Sequence, residues 1–354
     1  RYIVEKGGKL VLMSHLGRPK GSRVSEMSLK PCVAVLSGLL GKDVAFVDDC
    51  TGEAVETAAS GLNDGDVLLL ENLRYYKEET DNDSGFAAKL AKLGDMYVND
   101  AFGTAHRAHA STEGVTHFFK QCAAGYLMVK ELDYLGRVME NPARPFVAIL
   151  GGAKISGKID VITNLLPKVD KIIIGGGMAY TFFKAQGFEI GNSLLEADKV
   201  AYAKEILAQG SDKLVFPVDC MITDFFDFDA RKIGTLKEVS ADAIPAGWQS
   251  LDIGSRSIET FRAVLENAKT VIWNGPMGVF EIDETARGTY AVADLLARVT
   301  VKGATTVIGG GDSASAVNEA GVADKVSHVS TGGGASLEFI EGKTLPGVAA
   351  LTDK

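Results

Sequence analysis

Two of the chain's five histidines flank an arginine in VNDAFGTAHRAHAST, residues 98–112. Around His106, Arg107 and His109 stand Ala, Gly, Ser and Thr, with no apolar periodicity of a helix or strand. Small side chains among three nitrogen-rich ones suit an anion held close to backbone. Two other segments carry cations in comparable places. SHLGRPKG, 14–21, supplies His15, Arg18 and Lys20, with Leu16 and Gly17 between them, and ENLRYYKEE, 71–79, supplies Arg74. The planar fork of arginine suits phosphate and carboxylate because it donates two parallel hydrogen bonds. Each arginine alone could be an ordinary surface residue. Three at strand ends, on a chain of net charge −9, point to a local anion site.

The second half offers different chemistry. In GGAKISGKID, 151–160, Gly152 to Lys158 fits GxxxxGK, but a P-loop continues with Ser or Thr to hold magnesium, and Ile159 has no hydroxyl. The P-loop match is therefore accidental. Lys154 and Lys158, four residues apart, are expected on one face at the start of a helix, where two cations oppose the helix dipole and a bound anion relieves them. Two solvated lysines are the plainer alternative. GGGDSASA, 309–316, fits the weak dinucleotide pattern GxGxxA, but the next strand, VSHVS, ends in Ser330-Thr331 where a ribose-binding acid belongs. Asp312 is expected at the N-cap of the following helix, either as a cap or as a magnesium-associated carboxylate beside phosphates, and the sequence leaves both open. In WNGPMGVFE, 273–281, Asn274 and Glu281 share a strand end. Glu281 is either a ribose acceptor or a surface glutamate. His117 and His328 are read as structural.

The elements that carry these residues are legible from hydrophobic runs. KLVLMSH (9–15), DVAFVDD (43–49), DVLLLEN (66–72) and MYVNDAF (96–102) read as strands, with helices between them over 28–41, 51–62 and 84–94. Continuous apolar strands alternating with helices indicate a parallel sheet covered on both faces, and ligands bind at the carboxyl ends of such strands. Residues 125–141, GYLMVKELDYLGRVMEN, have helical spacing and end at Asn141-Pro142, so they are expected to bridge two domains. Beyond them five strands run straight into glycines: FVAILGGAK, KIIIGGGMAY, VIWNGPMGVFE, TTVIGGGDSA and HVSTGGGASLE. One such turn would be packing. Several at one sheet edge favour a phosphate-rich ligand.

The bulk numbers bound the class. A chain of 354 residues fits two domains, and 46% hydrophobic with 23% charged residues is a soluble composition. The negative charge argues against nucleic-acid and anionic-membrane binding. Cys32, Cys50, Cys122 and Cys220 form no CxxC pair, which excludes a zinc pattern or disulfide framework and fits reduced thiols in a cytoplasmic protein. No apolar run approaches the ~20 residues that span a bilayer, and no signal peptide is visible. The chain begins at Arg1 in what reads as the end of a helix, so it is expected to be a fragment or processed form. One domain thus reads as a small-anion domain and the other as a nucleotide domain, which suggests phosphoryl transfer by domain closure.

In order, SHLGRP, LLLENLRY, NDAFGTAHRAHAS, ILGGAKISGKI, IIGGGMAYTF, WNGPMGVFE, IGGGDSA and HVSTGGGASLE closely resemble the phosphoglycerate kinase family, across essentially the whole chain. The resemblance implies an α/β fold of two Rossmann-like domains, each a parallel sheet covered by helices, joined by a hinge helix. The expected division is a phosphoglycerate domain over 1–124, the linker helix 125–141, a nucleotide domain over 142–341, and a tail, 342–354, returning to the first domain. It implies reversible phosphoryl transfer between 1,3-bisphosphoglycerate and ADP, giving 3-phosphoglycerate and ATP, with magnesium, in a cytoplasmic monomer. By position, His15, Leu16, Gly17, Arg18, Arg74, His106, Arg107 and His109 match the substrate patch. Lys154 and Lys158 match lysines near the nucleotide phosphates and the transferred group. Gly152, Gly175, Gly176, Gly254 and Asn274 match the nucleotide pocket, and Glu281 the ribose contact. Gly309, Gly310, Gly311, Asp312 and Ser313 match the phosphate and metal turn, with Asp312 the metal carboxylate. Gly332 and Gly333 match the helix start presented to the transferred phosphoryl group.

One departure stands out. The family begins with a strand followed by Asp, Asn and an arginine, all preceding the position of Arg1. Without that strand its neighbours in the first sheet would expose unpaired backbone. A non-catalytic nucleotide-binding remnant is therefore one alternative. An NAD-dependent dehydrogenase is another, though it lacks the ribose acid and does not use the basic cluster.

Overall fold

A computed structural model describes residues 1–210 and 212–352. The chain divides into two compact units, one of residues 1–129 with those from Thr344 onward, the other of residues 130–343.

In the first unit, β1 (Leu10–Leu12), β2 (Ala45–Val47) and β3 (Val67–Leu70) form a parallel sheet in the order β1-β3-β2. The strand β3 is central because VLLL is apolar on both sides of the pleat and wholly buried. Its side chains serve two cores with the two-residue period of a strand. Leu68 and Leu70 pack with Val55, Phe86, Ala87 and Leu90. Val67 and Leu69 pack with Leu29, Val44 and the half-buried side of Cys32–Leu40. The helix Ser84–Ala91 starts where the Asp83 carboxylate accepts the Phe86 N–H at 2.7 Å.

The other parallel strands of this unit, β4 (Tyr97–Asn99) and β5 (Cys122–Ala124), pair only with each other. The four strands expected in one sheet thus fall into two. Among the described residues nothing pairs with the outer edge of β1 or of β4. The consequence is visible in burial: β1 is half-buried throughout, and Val98 in β4 is 41% exposed. The residues from Thr344 pack on this unit, where Gly347 N–H donates to Ala105 O at 2.8 Å and the Cys122 N–H donates to Thr352 Oγ1 at 2.9 Å.

The boundary between the units falls inside α1 (Tyr126–Glu140). This helix starts on the Asp100 carboxylate, which accepts the Met128 N–H at 3.0 Å, and it ends before Pro142.

The second unit is built on a six-stranded parallel sheet of β6 (Phe146–Leu150), β7 (Lys171–Ile174), β8 (Leu214–Val215), β9 (Thr270–Asn274), β10 (Thr305–Gly309) and β11 (His328–Val329), in the order β11-β10-β9-β6-β7-β8. All five glycine-ended strands therefore finish at one edge. Strands β6 and β9 are buried at every position. Val147, Ile149, Ile173, Val271, Trp273 and Ile308 face one core with Phe261, Leu265, Val292 and Leu296. The helices that follow include α2 (Ile159–Leu165), α3 (Ser255–Leu265), α4 (Arg287–Val301), α5 (Gly311–Glu319) and α6 (Gly333–Ile340), with Ala179–Ala185 and Val200–Gly210 between β7 and β8. The sequence did not announce an antiparallel addition in which Asp219–Thr223 pairs with Leu236–Ser240 and with Gln249–Ile253.

Candidate active site

The first unit gathers the sequence-selected cations at the strand ends. Arg74 rides a 3-10 turn after β3 that Asn72 caps, its Oδ1 accepting the Arg74 N–H at 3.0 Å. The fully buried Asn72 also ties two loops, donating to Leu16 O and Met27 O, each at 2.8 Å. The guanidinium of Arg74 donates to Gly17 O at 2.9 Å, and its buried Nε has no hydrogen-bond partner among the described residues. Arg107 Nε donates to His106 Nε2 at 3.1 Å. Arg18 and Arg107 are exposed. Leu16 and Gly17 contribute their carbonyls to holding the site, and the Leu16 side chain is exposed.

These cations repel one another. Burial, then Arg74 and Arg107, push His15 down to about 4. Burial and the same two arginines, with His15 and His106 behind them, push His109 down to about 4. Burial and Arg107 also lower Arg74. The buried Glu79 is 3.7 Å from His109 Nδ1, but burial raises its carboxyl while its oxygens take the Ser111 N–H at 3.0 Å and hydroxyl at 2.7 Å. With His109 held down to about 4, its ring is neutral at pH 7, so the contact is not an ion pair. The arginine charge is left for a ligand.

In the second unit the site lies at the carboxyl edge of the sheet. Lys158 Nζ donates to Asn274 Oδ1 at the end of β9. Burial lowers the Lys158 ammonium to about 8, against the opposing pull of Asp312 and Glu341. With its oxygen engaged, Asn274 aims its buried Nδ2, which has no partner among the described residues, toward the turn after β10. A Cβ on Gly310 would stand 3.2 Å from it and one on Gly309 3.4 Å. The starts of α5 and α6 meet at the same place: a Cβ on Gly333 would stand 3.1 Å from Gly311 N. The first N–H groups of a helix have no partner within it and carry partial positive charge. Two helix starts, a lysine and an amide donor thus converge.

Several sequence expectations are corrected here. Lys154 and Lys158 do not share a helix face. The helix begins at Ile159 behind a 3-10 turn, Ser156–Lys158, so Lys154 stands in an exposed loop and Lys158 turns inward. Asp312 is not a cap: Gly310 is the N-cap of α5, and the exposed Asp312 lies in its first turn without a capping bond. Ser313 is fully buried, and its hydroxyl accepts the Gly275 N–H at 2.6 Å. The glycines of the first three turns interlock. Gly151 N–H donates to Asn274 O, Gly152 N–H to Pro276 O, Gly175 N–H to Leu150 O and Gly176 N–H to Met277 O. These N–H groups are committed to the fold, so close approach is what Gly152, Gly175 and Gly176 can offer a ligand. Gly254 likewise donates to Asp219 O at 3.0 Å. Glu281 is exposed beyond the loop after β9.

Other residues that build the site carried no sequence signal. Leu194, 56% exposed, packs over Gly177, where a Cβ would lie 2.7 Å from its Cδ1, and adds an apolar surface beside the glycine turns. Glu131, fully buried, accepts the Thr331 N–H at 2.6 Å and hydroxyl at 2.8 Å and sits 2.7 Å from His328 Nε2, fixing the turn that leads to Gly332. Burial pushes its carboxyl up, but these hydrogen bonds win and hold it below its ordinary value. Asp252, pushed up to about 7 by burial, accepts the Gly288 N–H at 2.7 Å at the start of α4. All three are long-range contacts that no local pattern encodes.

Glycine turns and helix starts gathered at the carboxyl edge of a parallel sheet of βα units mark the class of doubly wound α/β proteins, whose ligands bind at that edge. Comparison gives the particular family. The family described as phosphoglycerate kinase matches residues 1–343. The phosphoglycerate kinase of Chloroherpeton thalassium is 58% identical over 355 residues, covering 99% of this chain and 88% of its own. The cytosolic enzyme of Triticum aestivum is 58% identical over 356 residues, 100% and 88%. The chloroplastic enzyme of Volvox carteri is 57% identical, 100% and 76%. The solved structure of phosphoglycerate kinase from Coxiella burnetii superposes with a TM-score of 0.87 at 38% identity, covering 99% of this chain and 87% of that one. The chain belongs to the phosphoglycerate kinase family. It is a phosphotransferase with a carboxyl acceptor, catalysing the reversible glycolytic transfer between 1,3-bisphosphoglycerate and ADP. The dehydrogenase and remnant alternatives are not favoured.

Proposed function

We propose that the chain divides this reaction between its units, the first binding the phosphoglycerate and the second the nucleotide. The convergence of Lys158, Asn274 Nδ2 and the starts of α5 and α6 at one sheet edge carries the reading. The nucleotide phosphates lie along Gly309–Ser313 and the exposed Lys154, the base packs on Leu194 and the Gly175–Gly177 turn, and the ribose bonds to Glu281. Arg18, Arg74 and Arg107, with His15, His106 and His109, take the phosphate and carboxylate of the phosphoglycerate.

The acceptor is a carboxylate, already ionised at neutral pH, so no general base is needed to create the nucleophile. What the reaction needs is alignment of the attacking and leaving oxygens, exclusion of water, and donors placed where charge spreads over the moving phosphoryl group. Lys158 and the N–H of Gly333 at the start of α6 are those donors; Gly332, expected beside them, spends its own N–H on Ser330 Oγ at 3.2 Å and serves as the N-cap that turns the chain into α6. The available donor set fits magnesium brought by the nucleotide. Among the described residues no group of three or more His, Cys, Asp and Glu forms a cage, while Asp312 offers one exposed carboxylate beside the phosphate turn, and magnesium is commonly held by one or two carboxylates plus phosphates. Asp312 would hold it, and it would neutralise phosphate oxygens.

A cytoplasmic monomer that binds neither nucleic acid nor membrane completes the proposal. The net charge of −9 supports the absence of nucleic-acid and anionic-membrane binding, the four unpaired cysteines fit a reducing compartment, no helix among the described residues is long and apolar enough to cross a membrane, and the monomer rests on the family resemblance alone. The division of labour is tested by titrating Arg107→Ala and Lys158→Ala with 3-phosphoglycerate and with MgADP. Arg107→Ala should weaken phosphoglycerate binding about tenfold or more and leave the nucleotide unchanged, and Lys158→Ala should do the reverse. Equal loss of both ligands in either variant would contradict it.

A further inference from the structure

The segment that carries Lys154 and Lys158 has few anchors. Its flanking glycines, Gly152 and Gly157, have open space where a Cβ would be, and Ala153, Lys154, Ser156 and Gly157 are exposed. Ile155, fully buried, is its one apolar tether. Its ends are tied by Gly152 N–H to Pro276 O and by Lys158 to Asn274, and between them the polar tether is a carboxylate from elsewhere: Glu196 accepts the Ser156 N–H at 3.0 Å on Oε2 and the Ser156 hydroxyl at 2.5 Å on Oε1. Glu196 closes the loop that holds Leu194, and that loop is itself well fixed. Asn192 N–H donates to Trp248 O at 2.7 Å, Ser193 Oγ accepts the Ser250 N–H at 3.0 Å, and Glu196 N–H donates to Thr181 Oγ1 at 3.3 Å.

We infer that Glu196 is a positioning residue that joins the loop bearing Leu194 to the loop bearing Lys154 and Lys158, so that base contact and phosphate contact are made as one unit. The inference rests on the nucleotide reading above. Glu196 touches no reacting atom. Its carboxylate, which accepts both donors of one serine, sets where the lysine segment starts its turn into α2. A displacement of about 1 Å at a phosphate-binding group is enough to cost up to about a hundredfold in rate. Glu196 is only half-buried, so its removal leaves no large cavity.

The test uses the intact chain and steady-state kinetics with MgADP and 1,3-bisphosphoglycerate. Glu196→Ala is expected to raise the KM for ADP and lower kcat, about tenfold in kcat/KM for ADP, with the KM for 1,3-bisphosphoglycerate and the melting temperature unchanged. Glu196→Gln keeps one acceptor and should recover about half of that loss on a logarithmic scale. Ser156→Ala removes only the hydroxyl bond. It should cost activity in the wild-type background and nothing further in Glu196→Ala, because the hydroxyl then has no carboxylate to serve. Additive losses, or a Glu196→Ala enzyme with wild-type kinetics, would overturn the inference. Lys158→Ala run in parallel separates the two levels. If it is inactive while the Glu196 variants are normal, the tether alone is wrong. If it is normal too, the nucleotide reading beneath it fails.

Discussion

At the residue scale the first unit is a set of cations waiting for charge. His15 and His109 are held neutral at pH 7 because burial and two arginines make a further proton costly. An anion carrying two or more negative charges reverses the second cause. 3-Phosphoglycerate is expected to raise both histidines from about 4 toward or above their ordinary value, as followed by histidine NMR titration with and without ligand. Unmoved histidines would place the phosphoglycerate elsewhere. The same shifts set a stability trend. The unfolded chain protonates these rings near 6.5, whereas the fold refuses the proton until about 4. Their contribution is therefore complete above pH 6.5 and lost as pH falls from there to about 4. The types and spacing of these residues were readable in the sequence. What was not readable was that His109 is buried against Glu79, or that Lys158 is engaged by an asparagine 116 positions away, because both depend on which strands are neighbours.

At the scale of elements, the glycine turns proved to be two kinds of structure under one sequence signature. Those after β6, β7 and β9 lock the sheet edge together, while those before α5 and α6 leave helix starts for a ligand. Local sequence could not divide them, since the division depends on which carbonyl each N–H meets. Gly275 marks the first kind. Its φ of 97° is in the left-handed region, and a Cβ there would lie 2.2 Å from Gly151 O. Gly275→Ala should destabilise the second unit by roughly 3 kcal/mol or more, read as a lowered denaturation midpoint for that unit. A loss under about 1 kcal/mol would mean that the turns are not interlocked. Most of the parallel βα strands, by contrast, were legible, because a strand buried on both faces must be continuously apolar; the short edge strands were not, since the run over 9–15 forms a strand only at Leu10–Leu12, and Cys122–Ala124 and Leu214–Val215 gave no signal. The antiparallel addition was missed because Leu236–Ser240, with burial that follows no strict alternation, gives no strand period.

For the whole molecule, an acidic chain gathers cations at strand ends in each of its two compact units, Arg18, Arg74 and Arg107 in the first and Lys158 in the second. That arrangement suits a reaction between two anionic substrates, in which neutralising and aligning charge is most of the catalytic work. The family was legible from ordered motifs, whereas the residues that hold the motifs in place, Glu131, Asp252 and Glu196, were not. The central claim is that Lys158, engaged by Asn274 at the sheet edge, neutralises the phosphoryl group in flight. The most direct measurement is the rate of ATP formation from 1,3-bisphosphoglycerate and MgADP by Lys158→Ala, with its melting temperature taken alongside. The account predicts turnover lower by about a hundredfold to a thousandfold in a protein that melts like the wild type. Near-normal turnover would contradict it.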